Sequence, residues 1–188
     1  MNYLQFIKES IEPTKRLYCD LDGVLVDFEQ GFKKLKENTE NLSPTEYQEK
    51  YGKNSIWKLI NDKGSSFWAN LNWMPDGRSL WDYIKRYNPI ILSSPSLDNS
   101  CIIGKTEWVK TNLNIDQDPI SELEDFNEET RFILANDKAK FAKSENDILI
   151  DDNRENLVKW SKAGGTGVLH DDSTDTIKVL EEIMKDFN

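Results

Sequence analysis

Asp20 and Asp22 stand two positions apart in Leu17-Tyr-Cys-Asp-Leu-Asp-Gly-Val-Leu-Val-Asp-Phe28, directly after an apolar stretch. A second acid pair, Asp151-Asp152, directly follows Ile148-Leu149-Ile150. Four carboxylates brought together repel one another unless a cation joins them. An all-oxygen donor set suits Mg²⁺, which keeps several waters and usually takes a phosphate oxygen of a substrate as well. Two further apolar runs end in groups of use to a phosphate. Ser93-Ser94-Pro95 follows Ile90-Ile91-Leu92 and offers hydroxyls and backbone N–H groups. Asn136-Asp137-Lys138 follows Phe132-Ile133-Leu134 and offers an ammonium to offset negative charge. Each stretch has a plain alternative: Asp22-Gly23 as a hairpin tip, Ser-Pro as an ordinary turn, Lys138 as a loop lysine. The repetition of apolar run followed by polar group is what argues for a common site.

Five short apolar runs qualify as strands, at Arg16–Cys19, Pro89–Leu92, Arg131–Leu134, Asp147–Ile150 and Thr166–Leu169. They alternate with helical patterns, such as Gly77 to Tyr87 and Thr174 to Phe187, which predicts an α/β, Rossmann-like, three-layer parallel sheet. In such a sheet ligands bind beyond the carboxyl ends of the strands, where Asp20, Asp22, Asp151 and Asp152 could converge. The residues after Asp22-Gly23 suit a turn opening into a helix better than a returning strand. Asp27 is expected to cap that helix.

Residues 31–74 break the alternation, and Ser43-Pro44-Thr45-Glu46 reads as a capping box with proline at the first helical position. The segment is expected to be a small helical cap inserted after the first strand, with residues 1–30 and 75–188 as the core. It carries Trp57, Phe67, Trp68 and Trp73. Such an insertion either packs on itself or lines a pocket for something flat and apolar. The polar stretch Asp116 to Thr130 reads as a connection with a short helix at most. His170 reads as a strand-end residue.

A chain of 188 residues, 37% hydrophobic, can bury one sizeable core. The net charge of −10 argues against tracking a nucleic-acid polymer, since no basic patch offsets it. Cys19 and Cys101 lack metal-ligand spacing and are expected to be reduced thiols. Charges at Lys8, Glu9, Glu12, Lys15 and Arg16, and the lack of an apolar run near the ~20 residues of a membrane span, point to a soluble, cytoplasmic protein.

With these residues assembled, the chain resembles the haloacid-dehalogenase-like (HAD) superfamily of phosphotransferases, whose motifs are DxDG, a Ser/Thr, a Lys and paired acids, in that order. Within it the chain looks most like the 5'(3')-deoxyribonucleotidases, through "DLDGVLVDFEQGF" from Asp20, "LSSPS" from Leu92, "KTEWVKTNL" from Lys105, "NDK" from Asn136 and "ILIDD" from Ile148. The resemblance spans residues 17 to about 160. It implies Mg²⁺ held by Asp20, the backbone carbonyl of Asp22, and Asp151, with an aspartyl-phosphate formed on Asp20. Asp22 would be the general acid and base, and Lys138 and Ser93 would stabilise the transferring oxygens. Phe28, Ser94, Lys105 and Asp152 would serve substrate binding: Phe28 matches an aromatic that stacks on the base, Lys105 orders the phosphate loop unless it is a surface lysine, and Asp152 supports the metal shell or Lys138. The implied substrate is a deoxyribonucleoside monophosphate, with a homodimer as the candidate assembly. Two departures stand out. Ser93-Ser94 replaces Thr-Ser, and Asn136 stands where these nucleotidases carry an arginine, which bears on base or sugar preference. Alternatives are a HAD phosphatase acting on another small phosphorylated metabolite, and a receiver-like phospho-acceptor module. Receivers place the acid pair first and the acceptor later, the reverse of the order here.

Overall fold

The computed structural model describes residues 15–185. The first fourteen residues of the expected core segment, and Asp186 and Phe187 at the expected end of the last helix, lie outside the described residues.

Five strands form one all-parallel sheet in the order β3-β2-β1-β4-β5: β1 Arg16–Cys19, β2 Ile90–Ser93, β3 Phe132–Leu134, β4 Asp147–Asp151 and β5 Thr166–Leu169. The eight helices are α1 Phe28–Lys33, α2 Pro44–Tyr51, α3 Ser55–Lys63, α4 Ser65–Ala69, α5 Gly77–Ile84, α6 Asn99–Leu113, α7 Arg154–Lys162 and α8 Ser173–Ile183, among the described residues. Both sheet faces are covered, as near-continuous apolar strands require. On one face Leu17, Cys19, Ile91, Ile148 and Ile150 pack against Leu80, Trp108 and Leu180 from α5, α6 and α8. On the other, Tyr18, Leu92, Ile133 and Leu149 meet Phe141 and Trp160. Each such side chain contributes about 1.5–3 kcal/mol on burial. No helix among the described residues is long and apolar enough to cross a membrane.

The strand order bears on function. Sequential strands run outward from β1 through β2 to β3, then the chain returns to the other side of β1 for β4 and β5. The sheet reverses at the β1/β4 boundary, and crevices open at such switch points. Receiver-like modules use the order 2-1-3-4-5, so that alternative is excluded by topology.

The hairpin alternative also fails. Gly23 takes a left-handed φ of 79° and its N–H bonds the Val26 carbonyl 2.9 Å away. Val26 then makes an isolated antiparallel bridge to Trp73, across the whole inserted segment, rather than to a returning strand. Helix α1 comes next, capped by the Asp27 carboxylate, which accepts from the Gln30 N–H at 2.9 Å.

Within residues 31–74, the Ser43–Glu46 capping box and Pro44 open α2 as expected. The segment does not form a separate core: Ile56, Ile60, Phe67 and Trp68 join the main cluster, with Trp57 and Trp73 packed against it. Helix α4 lies directly on α6, where a Cβ at Gly104 would stand 2.3 Å from the Ser65 carbonyl oxygen and 2.5 Å from Trp68 Cβ. Alanine gains up to about 1 kcal/mol of helix propensity over glycine, whereas forcing two helices apart costs about 1–3 kcal/mol. Gly104→Ala is therefore expected to lower stability by up to about 2 kcal/mol, read as a lower urea midpoint at unchanged slope.

Candidate active site

Asp20 immediately follows β1 and Asp151 ends β4, so the switch point sets the two acids side by side. Lys138, at the start of a 3₁₀ turn after β3, spans them: its ammonium lies 2.8 Å from Asp20 Oδ1 and 2.6 Å from Asp151 Oδ2. All three are buried. Asp20 Oδ1 also accepts the Leu21 N–H at 2.7 Å. Asp151 accepts the Asn153 N–H at 2.8 Å and the Asn156 amide at 3.1 and 3.2 Å. Asn156 was not singled out from sequence. Its signal is its position on the first turn of the helix that follows the acid pair, where it can reach back to Asp151.

Asp152 brings the third carboxylate. Oxygens of Asp20, Asp151 and Asp152 lie within 4.8 Å of one another, Asp152 being the exposed one. It packs over Gly23, where a Cβ would stand 2.3 Å from Asp152 Oδ2. Only a glycine fits there, both for that approach and for the positive φ. Three carboxylates against one buried ammonium leave net negative charge. With hard oxygen donors only, the cluster fits a divalent cation such as Mg²⁺.

Asp22 lies apart from that cluster, in a second ion pair. Its Oδ2 accepts from the Lys105 ammonium, which also donates to Ser93 Oγ and the Ser94 carbonyl, each at 2.9 Å. Lys105 is 2% exposed, so the surface-lysine alternative is corrected. Its helix, α6, is pressed against α4 through Gly104, and the Trp68 ring covers the ammonium at 5.2 Å. Asp22 Oδ1 is buried without a partner among the described residues. Ser94 points its hydroxyl at the Ala135 carbonyl, 3.4 Å away. Phe28 stacks on Trp68 with centroids 5.6 Å apart and meets Phe67 edge-on. It also lines a cavity of about 540 Å³ with Asp22, Gly23, Pro44, Met74 and Asp152.

Burial governs the titration of these acids. It pushes the Asp22 carboxyl up, although Lys105 pulls it back. It pushes Asp151 up with help from Asp20 and against Lys138. Partial burial, then the adjacent Asp20 and Asp151, carry Asp152 up to about 6. For Lys138 burial works downward, but Asp20 and Asp151 outweigh it and hold the ammonium up.

An acid whose folded pKa is raised keeps a proton that the unfolded chain releases, so its contribution to stability is lost as pH rises through the folded value. Without added cation, stability is therefore expected to fall as pH rises from the unfolded value of 3.8 through about 6. Mg²⁺ at a hundredfold excess over its Kd is expected to add about 2.7 kcal/mol at neutral pH. Asp151→Asn should abolish that gain; urea midpoints with and without the ion measure both.

His170, at the end of β5, is buried, with Nδ1 2.9 Å from Thr176 Oγ1 and its backbone N–H on the Asp151 carbonyl. It braces β4 and lies outside the acid cluster. Cys19 and Cys101 are free and buried.

No protein-family model matches the sequence, and no curated protein does. Solved structures do. The chain is similar to a hydrolase from Streptococcus pneumoniae TIGR4, at TM-score 0.54 and 10% identity over 89% of this chain and 98% of that one. It is similar to a HAD family hydrolase from Deinococcus radiodurans R1 with bound phosphate and sodium, at TM-score 0.54 and 12% identity over 92% and 96%. A HAD-superfamily hydrolase from Ehrlichia chaffeensis matches at TM-score 0.50 and 11% identity over 91% and 98%. Identities this low carry the fold alone: the chain shares its five-stranded parallel α/β architecture with these hydrolases.

Proposed function

We propose that the protein is a Mg²⁺-dependent phosphomonoesterase that hydrolyses deoxyribonucleoside monophosphates through an aspartyl-phosphate on Asp20. The observation that carries this reading is the Asp20–Lys138–Asp151 arrangement at the sheet switch point, with a second acid, Asp22, beside it on the same turn. The bound phosphate in the similarly folded hydrolase from D. radiodurans supports it.

Asp20 attacks phosphorus in line and splits hydrolysis into two easier displacements. Asp20 and Asp151 with the Asp22 carbonyl would hold Mg²⁺, Asp152 supporting them. When bound, the ion screens the repulsion between carboxylate and phosphate and neutralises charge on the transferring oxygens. Lys138 and the Ser93 hydroxyl supply fixed donors to those oxygens. Asp22 protonates the departing nucleoside oxygen and later takes a proton from the attacking water. A general acid must carry its proton at the first step, and the burial that pushes Asp22 upward favours that form. Lys105, on Asp22 and Ser93 at once, orders the phosphate loop against the general acid. The cavity beside Asp22, with Phe28 on its wall, has the size and flat apolar surface for a nucleoside.

The test is inorganic phosphate release from a panel of deoxyribo- and ribonucleoside monophosphates and sugar phosphates, with Mg²⁺ or a chelator. Mg²⁺-dependent release that favours deoxyribonucleotides supports the reading. Turnover confined to sugar phosphates removes the substrate assignment and leaves the chemistry standing.

A further inference from the structure

A second cleft lies between α5 and the far end of α6. It encloses about 710 Å³ and shares no wall residue with the cavity beside Asp22. Two arginines line it, and neither has a carboxylate partner among the described residues. The Arg78 guanidinium lies 4.8 Å over the face of Trp73, a stacking that fixes its plane and leaves its in-plane N–H donors open. The half-buried Arg131 is held by its Nε on the Pro89 carbonyl at 3.1 Å and by Nη1 on Asn88 Oδ1 at 3.3 Å. Both acceptors are neutral, so no carboxylate offsets the partial burial of this charge. Burial alone pushes this guanidinium's pKa down.

The acids on the same wall do not serve the arginines. Asp82 pairs with Lys85 at 2.6 Å, and Asp116 with Lys110 at 3.5 Å. In a chain carrying ten excess negative charges, two arginines without a carboxylate partner lining one cleft mark a place suited to an anion from outside. The remaining wall is apolar or aromatic in part, with Trp73, Trp81 and Ile115, and the volume falls in the range of small-molecule sites. An inorganic ion would leave most of that space unfilled.

We propose that this cleft binds a small organic anion, with Arg78 and Arg131 taking its carboxylate or phosphate and the Trp73 side of the cleft flanking its body. The proposal does not depend on the catalytic reading.

The test is calorimetric titration of the full chain with naphthalene-2-carboxylate and with the isosteric, uncharged naphthalene-2-carboxamide. One molecule of carboxylate per chain is expected to bind, with the amide about tenfold weaker or worse, since a charged hydrogen-bonded contact is lost. Arg78→Gln and Arg131→Gln should each weaken the carboxylate about tenfold, and Asp20→Asn should leave it unchanged. Arg131→Lys, which keeps the charge but loses the fork, covers the case in which Arg131→Gln fails to fold, and should weaken binding less than Arg78→Gln. Equal affinity for the amide, indifference to the arginine substitutions, or no binding by the wild-type chain overturns the proposal.

Discussion

Asp20→Asn is expected to lower phosphate release at least about a thousandfold, while the protein stays folded. The amide keeps the shape of the side chain and a carbonyl oxygen able to accept the Leu21 N–H, now received by Oδ1 at 2.7 Å. What it loses is nucleophilicity and the charge facing Lys138 at 2.8 Å. That lysine retains Asp151 at 2.6 Å, so no buried ammonium is stranded. Phosphate release and a urea melt on the same sample separate the two effects. Near-normal turnover by a folded Asp20→Asn protein would show that the nucleophile lies elsewhere.

Lys138→Met is expected to damage both activity and stability. The ammonium is 3% exposed, and it stands between Asp20 and Asp151, which are 10% and 0% exposed at their side chains. Its removal leaves two buried carboxylates facing each other, and stranding buried charge costs about 3–5 kcal/mol. Loss of one fixed donor to the transferring oxygens should lower turnover about a hundredfold to a thousandfold. The pH dependence identifies the cause. Asp151 is already pushed above its usual range by burial, with Asp20 adding to it, and Lys138 is what draws it back. Without that lysine the folded state holds its proton more tightly still, so the deficit should shrink as pH falls from neutral toward the unfolded value of 3.8. A stability loss below about 1 kcal/mol, flat in pH, would mean that the lysine is not the counter-charge of the pair.

The strands were legible because each is a short buried apolar run, and β1 and β5 span the residues their runs predict. The others shift by one residue or so, for identifiable reasons. Pro89 has no N–H to give a ladder, so β2 starts at Ile90 and extends to Ser93, which pairs with Leu134. Arg131 stays outside β3, its side chain drawn to Pro89 and Asn88. Asp151 belongs to β4 rather than to the loop, which is why it is the most buried acid of the cluster. Helix α6 was less legible, because its apolar residues do not keep to one face: Cys101, Trp108 and Val109 are buried while Ile102 and Ile103 face outward.

For the site, spacing after strands was enough to bring Asp20, Asp151, Asp152 and Lys138 together. It could not assign Lys105, whose burial depends on α4 and Trp68 closing over it from a segment well before it in the chain. Nor could it reveal that Asp22 turns its carboxylate to that lysine and away from the acid cluster. Of the two roles open to the inserted aromatics, Phe67 and Trp68 take the core, and Phe28, just before the insertion, stacks on Trp68, meets Phe67 edge-on and is left at the cavity wall.

The proposed chemistry turns on a covalent phosphate on Asp20. The most direct measurement is an acid quench of the Asp22→Asn protein during turnover with a deoxyribonucleoside monophosphate and Mg²⁺, then mass spectrometry of the peptide that carries residues 20–22. Loss of the acid and base at residue 22 should slow both formation and release of the intermediate, so the quench spans the whole time course; a phosphate adduct on Asp20 is expected, and it should disappear in the Asp20→Asn protein. Turnover by the wild-type enzyme with an unmodified Asp20 at every quench time, or an adduct on another residue, would contradict it.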